Sequence, residues 1–186
     1  MYSRYGRERK SSVKSCLHPD TLIIVWQMVL QAVGCQTRTS TEKFNFEGQS
    51  CSLQYWEYKQ SGHKGRLTVA DQLFVSSRNR RGLREYRNRC LKKKVSVGPD
   101  TEVDQEYLAG LAAQKKVAFE RTSCDPDQIL GQLVVPVFSY QGADEKLIGV
   151  IELTTFFAKE SYEEDFNQIQ SLLQKESLAT TYMANI

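Results

Sequence analysis

The stretch LGQLVVPVFSYQGADEKLIGVIELTTFF, Leu130 to Phe157, decides how the rest of the chain is read. Leu133, Val134, Val135, Val137 and Phe138 form one apolar run, and Leu147, Ile148, Val150, Ile151, Leu153, Phe156 and Phe157 form the next. Gln141 to Glu145 between them carries turn chemistry, so the pair reads as a β-hairpin rich in the side chains that suit a half-buried pleated surface. Pro136 has no amide to donate, which predicts an edge position or a bulge in the first strand. Immediately downstream, Ser161 and Glu164 predict a capping box, and Phe166, Ile169, Leu172 and Leu173 recur at helical spacing. The unit is strand, turn, strand, helix, with the apolar stripe of the helix laid on the sheet.

Upstream, TLIIVWQMVL (Thr21 to Leu30) has the β-branched density of a buried strand. Gly34 to Ser50 is polar and reads as a loop. SLQYWEY (Ser52 to Tyr58) alternates with period two, the pattern of a half-buried strand. Gly62 and Gly65 predict a turn, Arg66 to Ala70 leads through Asp71 and Gln72 to Leu73, Phe74 and Val75, and the spacing of Leu83, Tyr86 and Cys90 predicts a short helix from Gly82 to Leu91. Gly98, Pro99 and Asp100 make a turn. Asp104 to Lys116 is helical by composition, with acids in its first turn, where the helix dipole favours them. Thr122 to Asp127 reads as a loop. Neighbouring strands with helices segregated between them predict an α+β fold with an antiparallel β-sheet and flanking helices, laid out as a basic leader over 1–19, one domain over 20–178 and a tail over 179–186.

The chain has 186 residues, enough for one sizeable core, and its 40% hydrophobic and 10% aromatic content exclude disorder throughout. No apolar run reaches the length of a bilayer-crossing helix, and the first residues have no signal-peptide core, so a cytoplasmic or nuclear place is expected. The five cysteines, at 16, 35, 51, 90 and 124, lack the close pairs of a zinc site and read as reduced thiols; no metal and no cofactor is expected. No glycine-rich phosphate loop follows a strand, which argues against a dinucleotide fold. The net charge of +3 hides an asymmetry. Through Lys94 there are 19 Lys and Arg against 7 Asp and Glu, or +12; beyond it there are 6 against 15, or −9. A polyanionic partner for the first part, or attraction between copies of the chain, fits this division.

The ordered blocks VWQMV, RLTVADQLFV, GLREYRNRCLKKKVSV, AGLAAQKKVAFE, GQLVVPVF and LIGVIELTTF resemble the GAF-like N-terminal region of plant NIN-like proteins, the RWP-RK regulators of nitrate response. Together they cover most of Val25 to Leu173. The resemblance implies a GAF-like antiparallel sheet with flanking helices. It also implies a regulatory module without chemistry of its own, one that transmits binding of a nitrate-type small anion or of a partner in transcriptional control. There is no RWPxRK segment and no PB1-sized domain, so sequence-specific DNA reading is not carried over. Two alternatives stand beside it: a pocketless interaction module that pairs with related chains, and a thiol reductase of free methionine sulfoxide, as some GAF-like proteins are; a protein partner or a homodimer is expected.

Among individual residues, Arg66 and Arg121 are isolated cations near predicted strand ends, where a small anion could be held; surface arginine is the simpler reading. Glu152 interrupts an apolar strand and either faces water, as antiparallel sheets often allow, or binds something. Arg78, Arg80, Arg81, Arg84, Arg87, Arg89, Lys92, Lys93 and Lys94 form a basic run with Glu85 as its one acid, read as a solvated helix face, a nuclear import signal or a phosphate contact. His18 and His63 have no nucleophile placed beside them by spacing, so no catalytic residue is assigned. Cys90 sits beside cations, yet its spacing with Leu83 and Tyr86 points to burial. Trp26 and Trp56 read as core anchors, an aromatic ligand cage being the sharper alternative.

Overall fold

A computed structural model of the chain describes residues 50–62, 64–76, 81–99, 101–102, 106–122, 131–141, 144–156 and 159–185. The expected leader, the Thr21 to Leu30 strand, the loop that follows it, and Trp26 lie outside these residues.

The hairpin forms as the apolar runs predict. Strands β6 (Gly131–Gln141) and β7 (Asp144–Thr155) pair antiparallel along their whole length, from Gly131 opposite Thr155 to Gln141 opposite Asp144. β7 continues onto β1 (Cys51–Ser61), and the sheet order around them is β4, β2, β1, β7, β6, β5, β9. Here β2 is Lys64–Thr68, β4 Val95–Val97, β5 Ala118–Thr122 and β9 Met183–Asn185. Two short strands sit off this path: β3 (Phe74–Ser76) pairs with β1 and β8 (Leu178–Ala179) with β6. All pairings are antiparallel except that of β9 with β5. This is the α+β class, an antiparallel sheet with flanking helices, that the sequence predicts.

Pro136 is accommodated by both devices expected of it. On the edge of β6 away from β7, β5 covers residues 131–134 and β8 covers Phe138 and Ser139, so proline falls in the gap between them, and the register with β7 shifts between Val137 and Phe138. Gly62, at φ +60, turns β1 into β2; Gly65 is not part of that turn but lies in β2 beneath the Tyr58 ring.

Side-chain alternation splits the sheet into two cores. One face carries Leu53, Tyr55, Leu133, Val135, Ile151 and Leu153 and packs against helix α3 (Glu163–Lys175) through Phe166, Ile169 and Leu173. The other carries Trp56, Val134, Phe138 and Val150 and is covered by α1 (Arg81–Lys92), through Tyr86 and Cys90, and by α2 (Leu108–Lys115), through Leu108, Ala109 and Ala112. Two helix starts differ from the sequence reading. α2 begins four residues later than Asp104 and has no acid in its first turn. α3 has Tyr162 as its N-cap with no side-chain cap, so Ser161 and Glu164 form no capping box. The reason is that Tyr162 is fully buried and its amide donates to Glu120 at 2.8 Å, which leaves Ser161 Oγ to accept from Glu163 alone. The residues expected as a tail, 179–186, contain Ala179 of β8 and all of β9.

Candidate functional site

The α1 and α2 face of the central strands carries a polar block inside an otherwise apolar sheet. In β7, Ile151 and Leu153 point to the α3 side, which sends Glu152 and Thr154 to the opposite side. The register sets Gln54 of β1 directly across from Glu152, Ser52 across from Thr154, and Gln132 of β6 across from Thr154 and diagonal to Glu152. All five residues are buried, and Glu152 is 0% exposed. The wet-face reading of Glu152 therefore fails, because both of its neighbouring strands are present and α1 lies over them.

The Glu152 carboxylate takes four donors. Oε2 accepts from Trp56 Nε1 at 2.5 Å and Gln54 Nε2 at 2.6 Å; Oε1 accepts from Tyr86 Oη at 2.6 Å and Gln132 Nε2 at 3.0 Å. Each glutamine is in turn held by an arginine: Arg87 donates to Gln54 Oε1 at 3.1 Å, and Arg121 to Gln132 Oε1 at 3.3 Å. The result is a chain Arg87, Gln54, Glu152, Gln132, Arg121 running from α1 across the four strands β1, β7, β6 and β5, with each amide passing polarisation from a guanidinium to the carboxylate. Arg87 also ties α1 to the turn before β3, donating to the carbonyls of Val69 at 2.9 Å and Gln72 at 3.1 Å. The hydroxyl of Thr154, one pleat from Glu152, has no partner among the described residues.

Cys90, one turn beyond Tyr86, accepts from Gln54 Nε2 at 3.5 Å. Burial, then the charge of Glu152, push its thiol up to about 12, which leaves it protonated and a weak nucleophile at neutral pH. Burial and then Glu152 also raise Tyr86 well above the ordinary phenol range, which keeps it a donor. Burial lowers the Arg87 guanidinium from its usual value, with Cys90 and Glu152 opposing that shift. Beside the block, Trp56 meets Tyr107 edge-on at 6.0 Å and Tyr107 stacks with Tyr86 at 6.5 Å, while Lys93 and Arg89 lie over the Tyr107 and Tyr86 rings.

The three residues singled out as ligand contacts do not share one place. Glu152 and half-buried Arg121 are joined through Gln132, whereas Arg66 is exposed on β2, opposite Lys59 of β1 and Ser96 of β4, on the other face of the sheet. The basic run divides as well. Arg78 and Arg80 lie outside the described residues; Arg81, Arg84, Arg89, Lys92 and Lys94 are exposed and Lys93 half-buried; Arg87 is buried and belongs to the polar block, not to a solvated face. The sequence pattern alone does not mark Gln54, Tyr86 and Gln132 as site residues. The available signal was three long polar side chains interrupting three apolar strands, Gln54, Gln132 and Glu152, which only the register brings together. Cys51 and Cys90 are buried, while His18, His63 and the remaining cysteines lie outside the described residues. Among the described residues no His, Cys, Asp and Glu side chains group as metal ligands, and no helix is long and apolar enough to cross a membrane. A concavity of about 580 Å³ lies along α3, lined by Ser161, Glu163, Glu164, Asn167, Ser171 and Leu172 among others, on the side of the sheet opposite Glu152.

No family model matches the sequence, and no curated protein matches it. Two solved structures are similar, both of fRMsr, the free methionine-R-sulfoxide reductase, of Staphylococcus aureus. The complex with substrate aligns at TM-score 0.45 over 87% of this chain and 96% of the other; the reduced form aligns at 0.46 over 88% and 97%. Both share 12% sequence identity with it. Since both are structures of an enzyme, the expectation that this chain has no chemistry of its own is withdrawn.

Proposed function

We propose that this chain is a GAF-like regulatory module that binds a small polar molecule at the block around Glu152, in the regulatory role that the resemblance to NIN-like proteins implies, in the nucleus or cytoplasm. One observation carries the reading. A carboxylate sits in the middle of a sheet with four donors on it and, one pleat away, a hydroxyl that has no partner among the described residues, where an apolar core would be easier to fold. The ligand class differs from the nitrate-type anion of the resemblance. Glu152 already takes the donors that an anion would need and adds a negative charge beside them, so a ligand bearing an ammonium or amide group suits the block better.

A second reading rests on Cys90, whose thiol lies against the same block. In thiol reduction the Cys90 sulfur would attack the sulfur of a bound sulfoxide and take its oxygen, leaving a thioether and a sulfenic acid. An external thiol would then form a disulfide with Cys90 and release water. The raised thiol pKa opposes this reading in the resting protein.

Isothermal titration of the full chain with nitrate, free methionine and free methionine sulfoxide tests the first reading. Binding of an ammonium-bearing ligand that weakens at least about tenfold in Glu152→Gln is the expected result, equivalent to the loss of one charge-assisted contact of about 1.4 kcal/mol or more. Nitrate binding that survives in Glu152→Gln, or silence across the panel, overturns it. Consumption of methionine sulfoxide with a thiol reductant, lost in Cys90→Ser, would establish the second.

A further inference from the structure

We infer that copies of this chain associate head to tail, the basic solvent face of α1 on one copy lying along the α3 strip of the next. On α1, Arg84, Asn88 and Lys92 follow one another at four-residue spacing and are exposed, with Leu91 at 46% exposure beside them. Arg81 and Arg89 are engaged with Glu85 and Glu106, whereas Arg84 and Lys92 make no ion pair among the described residues. The complementary surface is the concave strip on α3. Glu163 and Glu164 open it, Asn167 and Ser171 continue it at helical spacing, half-buried Leu172 supplies an apolar floor that Leu91 can meet, and exposed Lys175 closes it at the end away from the acids. Cation faces anion at the Glu163 and Glu164 end, amide faces amide beyond it, and one leucine faces another. This complementarity falls on the two parts of the chain that carry +12 and −9 in sequence.

The fold decides how such contacts propagate. α1 covers one face of the sheet and α3 the other, so the two surfaces point to opposite sides of the molecule. A contact between unlike surfaces on opposite sides leaves a free surface at each end, and association runs on past a dimer.

Sedimentation velocity of the full chain at about 20 mM and about 500 mM salt, where the screening length falls from about 20 Å to about 4 Å, reads the prediction. A concentration-dependent series extending beyond dimer at low salt, reduced to monomer at high salt, is expected. Arg84→Glu with Lys92→Glu makes both surfaces acidic, and Glu163→Lys with Glu164→Lys makes both basic; each variant alone is monomeric at low salt. An equal mixture of the two associates again, because each now complements the other. Unchanged thermal unfolding of both variants separates a lost contact from a lost fold. A wild-type monomer at low salt, association that stops at a dimer, variants that still self-associate, or a mixture that stays monomeric overturns the inference. So does a wild-type chain that ignores its own copies yet shifts a DNA duplex in a manner lost in Arg84→Glu with Lys92→Glu, which would assign the α1 face to nucleic acid.

Discussion

Glu152 can be changed in two ways that separate charge from shape. Glu152→Gln keeps the volume but turns one acceptor into an amide that meets donors, which strands at least one of Trp56, Gln54, Tyr86 or Gln132 in a buried place; a loss of about 1–3 kcal/mol in urea unfolding is expected. Glu152→Ala takes the shared acceptor from all four, leaving Gln54 only Cys90 and Gln132 only the Tyr86 hydroxyl to donate to, and opens a cavity the size of a small carboxylic acid, for a loss of about 3–5 kcal/mol. Because those donors remain aimed at one point, formate should recover part of this stability in Glu152→Ala while leaving the parent unchanged. Equal response of both proteins to formate would show that the donors do not form a preset receptacle. Gly149, three residues earlier, tests packing without charge. A Cβ there would overlap Tyr55 Oη and the carbonyl of Trp56, and because the second is backbone the strand itself must shift. Gly149→Ala should cost about 2 kcal/mol or more, within the range of overpacked cores, and a thermal midpoint equal to the parent's would contradict the close approach.

At the scale of elements, α1 is held by a residue that its sequence pattern assigns to water. Arg87 follows Tyr86 at the edge of the apolar stripe, yet its guanidinium reaches Gln54 and the carbonyls of Val69 and Gln72, and lies 5.0 Å from the Phe74 ring centroid. Arg87→Met keeps the stem and removes the donors, so α1 should loosen from the turn before β3, with a loss of about 2–4 kcal/mol; Arg84→Ala on the exposed side should stay within about 0.5 kcal/mol. Hydrogen exchange localises the effect, and protection in β3 that survives Arg87→Met would refute the tie. The same helix shows what was legible. The spacing of Leu83, Tyr86 and Cys90 specifies its buried side, as the period-two runs specify β1, β6 and β7. Arg87 could not be read this way, because its partners come from turns and strands up to 33 residues away. Glu152 was equally hidden: alternation says which residues share a face, but not that both faces are covered. β4, β8 and β9 were missed because two or three residues carry no usable period, and β5 because its Phe119, Glu120 and Arg121 alternate too briefly between a helix and a loop.

Across the whole molecule, both cores bury groups that ionise only at high pH. Tyr55 lies on the α3 face, Tyr86 and Cys90 on the other, and burial is the first cause of the upward shift in each. In the unfolded chain the thiol loses its proton near 9.0 and the phenols near 10.0, while in the folded chain all three keep theirs to higher pH. Between those values the folded state binds more protons than the unfolded one, so stability is level below about pH 9 and falls as pH rises, by at most about 1.4 kcal/mol per pH unit for each group. The fall should begin with Cys90 over the window from 9.0 to about 12, and steepen once the tyrosines join above 10.0. Cys90→Ala removes the first of these groups, so its urea midpoint, whatever its value at neutral pH, should stay level to about pH 10 before declining. Midpoints measured in steps from about pH 8 to about pH 11 decide the matter. A parent protein whose midpoint does not fall over that range, or a Cys90→Ala profile parallel to the parent's, would mean that the thiol reaches water in the folded chain; the block around Glu152 would then be open on the α1 side and Cys90 available to react.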